Sequence, residues 1–320
     1  MGKNKMIETI LKLKCFEEKP PVLVDVGASG GLHQIWKKIA KNSICIAFEP
    51  DEREVKITNK SVKDFKSFII INRIVCEKEG IKSFHLTKSP FCSSCLKTDL
   101  KSLSPYDIKS YFEIEKKIKL KSTTINSVLK TNQLNYIDWF KTDSQGTDLR
   151  IYSSITPQIR ERILVAEFEP GIMDAYIGED KLYGIMEFFN NKDFWCDECR
   201  VKGMRRLKEE TKKKYFRFVS DRLFNAFLKP SAFWAEISYT NQMRKSSFDK
   251  RDYLLMIVFA ILKKQYGFAI EIAEIGKIRF KDKIFNDIIR YCIVRIRRDG
   301  YLSLPFYVFK KLFLKYFQNV

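Results

Sequence analysis

Short apolar, β-branched runs alternate with amphipathic stretches along residues 20–230. This alternation is typical of an α/β fold with a mostly parallel sheet. The apolar runs predict seven strands, at residues 22–26, 43–48, 67–75, 81–87, 136–142, 162–168 and 222–229. The strand at 81–87 is expected to be an added edge strand. The amphipathic stretches predict helices at residues 32–40 and 148–155. We therefore expect a doubly wound, mostly parallel, seven-stranded sheet.

The pattern changes after Pro230 to long helical periodicities. From Asn241 onward, 17 Lys and Arg stand against 7 Asp and Glu, about half of the net charge of +20. Four phenylalanines recur there at steps of three and four residues, which places them on one helix face: Phe306, Phe309, Phe313 and Phe317. We predict two domains, an α/β domain over residues 1–232 and a basic helical C-terminal extension over residues 233–320.

The composition is that of a folded protein. The chain has 320 residues, of which 45% are hydrophobic and 14% aromatic, and this excludes a disordered or low-complexity chain. No apolar run reaches the roughly 18 residues of a membrane span, and the N-terminal residues lack the apolar core of a signal peptide. We therefore expect a cytoplasmic protein, with peripheral contact at the inner face of the membrane as an open alternative.

The eight cysteines are expected to be reduced thiols. Two C-x-x-C pairs, Cys92 with Cys95 and Cys196 with Cys199, are the unit of a four-thiolate zinc site. About 100 residues separate the pairs, however, whereas zinc ribbons separate theirs by roughly 15–20. We expect ordinary thiols and no metal.

A glycine-rich turn follows the first predicted strand, in the order Asp25-Val26-Gly27-Ala28-Ser29-Gly30-Gly31. Glycines at a strand-to-helix turn let the backbone approach a ligand closely. The acid two residues before the first glycine suits a ligand with an ammonium group, such as the amino-acid moiety of S-adenosylmethionine, better than a pyrophosphate. A tight turn of small residues without a ligand is the alternative.

Glu49 and Pro50 end the second predicted strand, about 20 residues after the turn. A carboxylate at that edge can accept hydrogen bonds from both hydroxyls of a ribose. The glycine turn and Glu49 together predict a nucleoside cofactor, with Asp25, Gly27, Ala28, Ser29, Gly30, Glu49, Pro50 and Asp143 as its contacts.

Asp143 ends a central predicted strand, next to the point where doubly wound sheets bind their ligands. It could be a catalytic base, a metal ligand, a contact of the cofactor amine, or the N-cap of the next helix. His33 opens the helix predicted after the glycine turn and is a second candidate base, although a lone histidine is more often a surface or cap residue.

Three blocks resemble the FkbM-type family of S-adenosylmethionine-dependent O-methyltransferases: D-V-G-A-S-G-G from Asp25, A-F-E-P from Ala47 and F-K-T-D-S-Q-G from Phe140. The stretches at 84–94 and 167–176 are also similar to that family, whereas Asp148, Gln145 and Cys95 depart from its usual pattern. The resemblance implies a Rossmann-like class I methyltransferase. It also implies S-adenosylmethionine as cofactor and methyl transfer to a hydroxyl of a sugar or another metabolite.

We expect the acceptor to be a small molecule or a glycan, and most specifically a sugar of a cell-surface glycan precursor. Methylation of a non-sugar metabolite or of nucleic acid is the alternative activity. A degenerate methyltransferase fold that serves as a membrane-associated binding module is the alternative without catalysis.

The positive charge favours polyanionic partners, but solvated lysines explain it equally well. The basic C-terminal helices either pack their aromatic face on the protein, which we favour, or dock on an anionic membrane. No nucleic-acid-binding motif accompanies the charge, so nucleic acid is not favoured, and an oligomer remains open.

Overall fold

The computed structural model describes residues 5–28, 32–51, 53, 64–220, 223 and 227–317, the last of these without the side chains of 303 and 305–317. The chain divides into two compact units, which are treated separately below. The first runs from Pro20 to Arg244, and the second combines Met1–Lys19 with Lys245–Val320.

The first unit is built on a seven-stranded sheet in the order β3-β2-β1-β7-β8-β10-β9. Its strands are β1 (Val22–Val26), β2 (Ile44–Phe48), β3 (Ser67–Ile71), β7 (Trp139–Thr142), β8 (Val165–Phe168), β9 (Phe194–Met204) and β10 (Ser231–Asn241). The pairs joining β3, β2, β1, β7 and β8 are parallel, and β10 runs antiparallel to both β8 and β9. The predicted doubly wound, mostly parallel sheet is therefore confirmed.

One face of this sheet packs against helices and forms a hydrophobic core. Alternate strand residues, such as Val24, Phe140 and Phe168, are fully buried in one cluster. The helices contribute Tyr152 and Phe189 to the same cluster, and they are α3 (Ile125–Thr131), α4 (Asp148–Ser153), α5 (Pro157–Arg160) and α6 (Leu182–Phe189). The core therefore holds the strand ends in place from the helical side.

A second, three-stranded sheet lies between β3 and β7 in sequence, in the order β4-β6-β5. Its strands are β4 (Ile74–Val75), β5 (Gly80–Thr87) and β6 (Ile114–Thr123). The predicted strand 67–75 is thus broken after Ile71, and its last two residues join the small sheet instead. The predicted edge strand 81–87 forms, as β5, in this second sheet.

Three further predictions need correction. The sequence predicts one helix over residues 32–40. The structure instead has two short 3₁₀ helices, at Gln34–Lys38 and at Ala40–Asn42, and the second ends two residues beyond the predicted range. Residues 222–229 were predicted as the last strand, but the described residues among them include two helical ones, and the last strand is β10. The boundary expected after residue 232 falls inside β10, because that strand pairs with β8 and completes the sheet.

The second unit is helical, as the sequence predicts for its C-terminal part. Its helices are α1 (Lys5–Leu11), α2 (Lys14–Glu18), α8 (Lys250–Leu262), α9 (Tyr266–Phe280) and α10 (Ile284–Phe317), and one further helix, α7 (Glu209–Tyr215), belongs to the first unit. A capping box formed by Asp249 and Asp252 begins α8. Within the described residues, no helix combines the length and the apolar character needed to cross a bilayer.

Candidate functional site

The order of the sheet reverses at β1, whose neighbours are β2 on one side and β7 on the other. Ligands of doubly wound sheets bind outside the carboxyl ends of the strands at such a point. Gly27 follows β1 there with φ of +81°, and a Cβ built on it would lie 2.0 Å from the carbonyl oxygen of Asp143. Asp143 N in turn donates to Val26 O at 2.8 Å. Only a glycine lets these two strand ends approach so closely.

A cleft opens at these strand ends, and we call it the glycine-turn cleft. Gly27, Glu49, Pro50, Asp51 and Asp143 are among the residues that line it. The cofactor contacts predicted at Gly27, Glu49, Pro50 and Asp143 are therefore brought together. Ala28 is buried, and its N–H donates to Phe48 O at 3.2 Å, whereas Ser29 and Gly30 lie outside the described residues.

Glu49 is only 2% exposed, and its Oε1 accepts a hydrogen bond from Asp51 N at 2.8 Å. Asp51 forms an ion pair with Arg53, whose Nη1 donates to Thr87 O at 3.2 Å and whose Nη2 donates to Ser93 Oγ at 3.2 Å. The loop after β2 is thereby tied to the small sheet. This tie holds the Glu49 carboxylate in one orientation at the strand end.

Asp143 lines both the glycine-turn cleft and a second cleft beside it. Gln145 Nε2 donates to Asp143 Oδ1 at 2.5 Å, and Tyr176 Oη donates to Gln145 Oε1 at 2.8 Å. Burial, followed by the negative charge of Glu169, raises the pKa of the Asp143 carboxyl well above its usual range. A carboxyl with a raised pKa is a stronger base than an ordinary aspartate.

The second cleft has about 290 Å³ of space and largely aromatic walls, and we call it the aromatic cleft. The rings that line it are those of Phe91, Tyr111, Phe112, Tyr176, Phe233 and Trp234. Its polar lining includes Asp143, Gln145 and Glu169. A flat, partly apolar molecule with a group that can donate a proton fits this combination.

Glu169 is a site residue that the sequence analysis missed. It follows β8 directly, so the rule that identified Glu49 and Asp143 at strand ends applies to it as well. Lys141 Nζ lies 3.7 Å from Glu169 Oε1 and 3.4 Å from Asp25 Oδ1. Burial lowers the pKa of Lys141, but the charges of Asp25 and Glu169 outweigh burial and raise it.

Asp25 differs from its expected role as a contact of the cofactor ammonium. Its carboxylate is fully buried and has Lys141 as its ammonium partner, while its Oδ2 has no hydrogen-bond partner among the described residues. The reason is the alternation of side chains along β1: Val24 and Val26 belong to the helix-covered core, and Asp25 points away from it. Burial raises the pKa of the Asp25 carboxyl, and Lys141 opposes that shift.

His33, the second candidate base, lines a third cleft with Lys141, Glu167, Glu198 and Glu236. His33 Nε2 lies 3.8 Å from Glu167 Oε2, and its ring lies beside those of two tryptophans. His33 is not among the residues that line the glycine-turn cleft or the aromatic cleft. Of the two candidate bases, Asp143 therefore lies at these two clefts and His33 does not.

Asp148 organises the loops around Asp143. Its Oδ1 accepts from Thr142 Oγ1 at 3.0 Å and from Ser144 N at 2.8 Å, and its Oδ2 accepts from Glu169 N at 3.1 Å. Asp148 thus joins the carboxyl ends of β7 and β8. It fixes the spacing between Asp143 and Glu169.

The two C-x-x-C pairs lie in different parts of the first unit. Cys92 and Cys95 are half-buried and line the two clefts, whereas Cys196 and Cys199 are exposed on β9. Among the described residues, no group of three or more potential ligands is arranged to hold a metal ion. Burial raises the pKa of the Cys92 thiol to about 11.

No protein-family model matches the chain, and no curated protein sequence resembles it. Among solved structures, one similar fold is a precorrin-6y C5,15-methyltransferase from Geobacter metallireducens GS-15. It is 10% identical, with 74% of this chain and 87% of that chain covered and a TM-score of 0.35. Another is the 23S rRNA methyltransferase ErmE, at 10% identity, 81% and 74% coverage and a TM-score of 0.29. Similarity this distant supports no inference about cofactor or substrate.

Proposed function

We propose that the protein is an S-adenosylmethionine-dependent methyltransferase that methylates a hydroxyl group. One observation carries the proposal: the glycine turn at Gly27, the strand-end acid Glu49 and the candidate base Asp143 line a single cleft where the sheet order reverses. This is the position, and these are the kinds of group, that a nucleoside cofactor with a charged amino-acid end requires. The motif resemblance to the FkbM-type family points the same way.

The residues of the cleft fit this cofactor. The absence of a Cβ on Gly27 lets its turn lie against the backbone of Asp143, so both strand ends meet at the edge of one cleft. Glu49 Oε1 accepts from Asp51 N at 2.8 Å, and a carboxylate has several lone pairs, so it can also accept from the hydroxyls of a ribose. The bound cofactor would supply an activated methyl group, so the protein has mainly to align the acceptor with it.

Asp143 is the base in this proposal. Its Oδ1 is held by Gln145, which leaves Oδ2 to accept the proton of an acceptor hydroxyl as the new oxygen–carbon bond forms. The raised pKa makes this transfer more favourable than it would be to an ordinary aspartate. Because Asp143 lines both clefts, it stands between the cofactor and the acceptor.

We propose a sugar as the acceptor, on a precursor of a cell-surface glycan. Sugar rings present C–H faces that pack on aromatic side chains, and the aromatic cleft offers Phe112, Phe233 and Trp234 for this contact. Sugar hydroxyls can donate to carboxylates, and Asp143 and Glu169 are among the carboxylates that line this cleft. Both requirements are met within one cleft.

The test of the cofactor is titration calorimetry with S-adenosylmethionine on the wild type and on Glu49→Gln. Loss of the charged acceptor for the ribose hydroxyls should weaken binding at least tenfold, since such hydrogen bonds are worth about 1–3 kcal/mol. Glu187→Gln is the matched control, because Glu187 is exposed on α6 and lines neither cleft. Wild-type affinity in Glu49→Gln would show that the cleft does not bind the ribose.

A further inference from the structure

The helical unit contains a groove of its own between α1 and α10, with about 380 Å³ of space. Met6 lies on the α1 side, and Ile284, Tyr291 and Val294 form the apolar part of the α10 side. These α10 residues recur at intervals of seven and three, so they share one helix face. The methyltransferase proposal does not use this groove.

Arg295 forms the floor of the groove. The residue is only 3% exposed, and its Nη2 donates to Asp299 Oδ2 at 3.1 Å while its Cζ lies 6.0 Å from the centre of the Tyr266 ring. Its Nε and Nη1 are buried and form no hydrogen bond of regular geometry among the described residues, while the Tyr266 hydroxyl interacts with the guanidinium and raises its pKa. Buried N–H groups of a guanidinium need an acceptor, because a buried donor left unpaired is costly. A ligand in the groove could supply that acceptor.

The charge of the lining selects an anion. Arg290 and Arg298 line the groove together with Arg295, and both are exposed. Asp287 is the one acid among the described residues that line it, and its carboxylate lies 3.9 Å from Arg290 Nη2. Arg290 and Arg295 each have one carboxylate partner, Asp287 and Asp299, and Arg298 adds a third positive charge. This excess of positive charge favours a phosphate or a carboxylate, and guanidinium binds both in a bidentate manner.

The apolar part of the groove shows that a bare ion would leave much of the space unused. Met6, Ile284 and Val294 offer contact to a hydrocarbon chain rather than to a polar group. The same face of α10 continues toward the C-terminus with exposed apolar residues, since Tyr301 is 76% and Leu302 is 69% exposed. A chain that leaves the groove would therefore meet further apolar surface.

We propose that this groove binds an anionic amphiphile, with the anionic head at Arg295 and Arg298 and the hydrocarbon chain along Met6, Ile284 and Val294. The shared chemistry is a phosphate or carboxylate joined to an apolar chain. Such a molecule can reach the groove either free in solution or as part of a membrane.

The sharpest test compares two neighbouring exposed arginines on the full-length protein. Arg298→Gln removes a charge from the groove, and Arg297→Gln removes the same charge from an exposed position that does not line it. Titration calorimetry with decyl phosphate, below its micelle concentration, should show at least fivefold weaker binding for Arg298→Gln and wild-type binding for Arg297→Gln. Arg295→Met, checked for folding by its melting temperature, should lose binding by tenfold or more.

Inorganic phosphate serves as the second probe and should bind at least tenfold more weakly than decyl phosphate, because it leaves the apolar wall unused. Equal loss of binding in Arg298→Gln and Arg297→Gln would overturn the proposal, since it would show attraction to the general positive charge. Failure of the wild type to bind decyl phosphate, or equal affinity for both probes, would overturn it as well.

Flotation with vesicles that contain phosphatidic acid distinguishes the two sources of the ligand. If Arg298→Gln reduces vesicle binding more than Arg297→Gln does, the groove takes its ligand from the membrane. If decyl phosphate binding depends on Arg298 but vesicle binding responds equally to both variants, the ligand is a free amphiphile. Both outcomes support the groove as a site and identify where its ligand comes from.

Discussion

A single added methyl group at Gly27 should disrupt the candidate site. In Gly27→Ala the new Cβ would lie 2.0 Å from Asp143 O and 2.9 Å from the carbonyl carbon, whereas ordinary contacts begin at 3.4 Å. Both atoms belong to the backbone, so no side chain can rotate away. The alanine must also hold φ near +81°. The strand ends of β1 and β7 would therefore have to separate.

The expected loss of folding stability in Gly27→Ala has two contributions. The left-handed backbone costs an alanine about 1–2 kcal/mol, and forcing a methyl into a filled space costs typically about 1–3 kcal/mol more. Gly178→Ala isolates the first part, because Gly178 has φ of +72° and nothing within 4 Å of its Cβ position. Gly27→Ala should therefore lower stability by at least ~1 kcal/mol more than Gly178→Ala does.

Urea unfolding followed by circular dichroism measures this difference, with the slope of the transition checked for each variant. Calorimetry with S-adenosylmethionine provides the second readout, in which Gly27→Ala should bind at least tenfold more weakly and Gly178→Ala like the wild type. Equal destabilisation of the two variants would refute the close approach of Gly27 to Asp143.

Two further predictions concern the buried charges of the site. Lys141→Met should destabilise the protein by about 3–5 kcal/mol, because it leaves Asp25 and Glu169 without their ammonium partner. Adding Asp25→Asn should recover part of that loss. If the changes in unfolding free energy of the two single variants, measured in urea, simply added in the double variant, the pairing would be contradicted. Asp143→Asn should melt about 2 °C above the wild type at pH 7. The folded state holds the Asp143 proton more tightly than the unfolded state, so ionisation of Asp143 lowers stability as pH rises through its raised folded pKa. The advantage of the variant should accordingly shrink as pH falls toward about 4, and melting curves with an unchanged difference across this range would contradict the raised pKa.

The strands that the sequence predicts well are those buried on both faces. β1 and β2 are almost wholly buried, so they are apolar runs with clear ends, apart from Asp25 in β1. β9 and β6 are partly exposed and carry many charged residues, which hides them from a search for apolar runs. β10 did carry a signal, because Phe233, Ala235 and Ile237 alternate with more exposed positions in its first part.

The residues of the candidate site also divide into those that could be predicted from the sequence and those that could not. Gly27, Glu49 and Asp143 could be predicted because each directly follows a well-marked strand, and the parallel sheet brings such positions to one edge. The aromatic cleft could not be predicted, since its walls come from segments far apart in sequence, such as Phe112, Tyr176 and Phe233. Their packing depends on the tertiary fold and leaves no local pattern.

The ion pair between Asp25 and Lys141 is intermediate between the features that could be predicted from the sequence and those that could not. The two residues are 116 positions apart, yet each is the last residue but one of its strand. Asp25 stands two residues before Gly27, and Lys141 stands two residues before Asp143. Parallel neighbours in register bring equivalent positions side by side, and β1 and β7 do pair Asp25 with Lys141. An acid and a base at matching positions of adjacent parallel strands therefore indicate a buried ion pair. By that argument Asp25 positions Lys141, and through it Glu169, at the edge of the aromatic cleft.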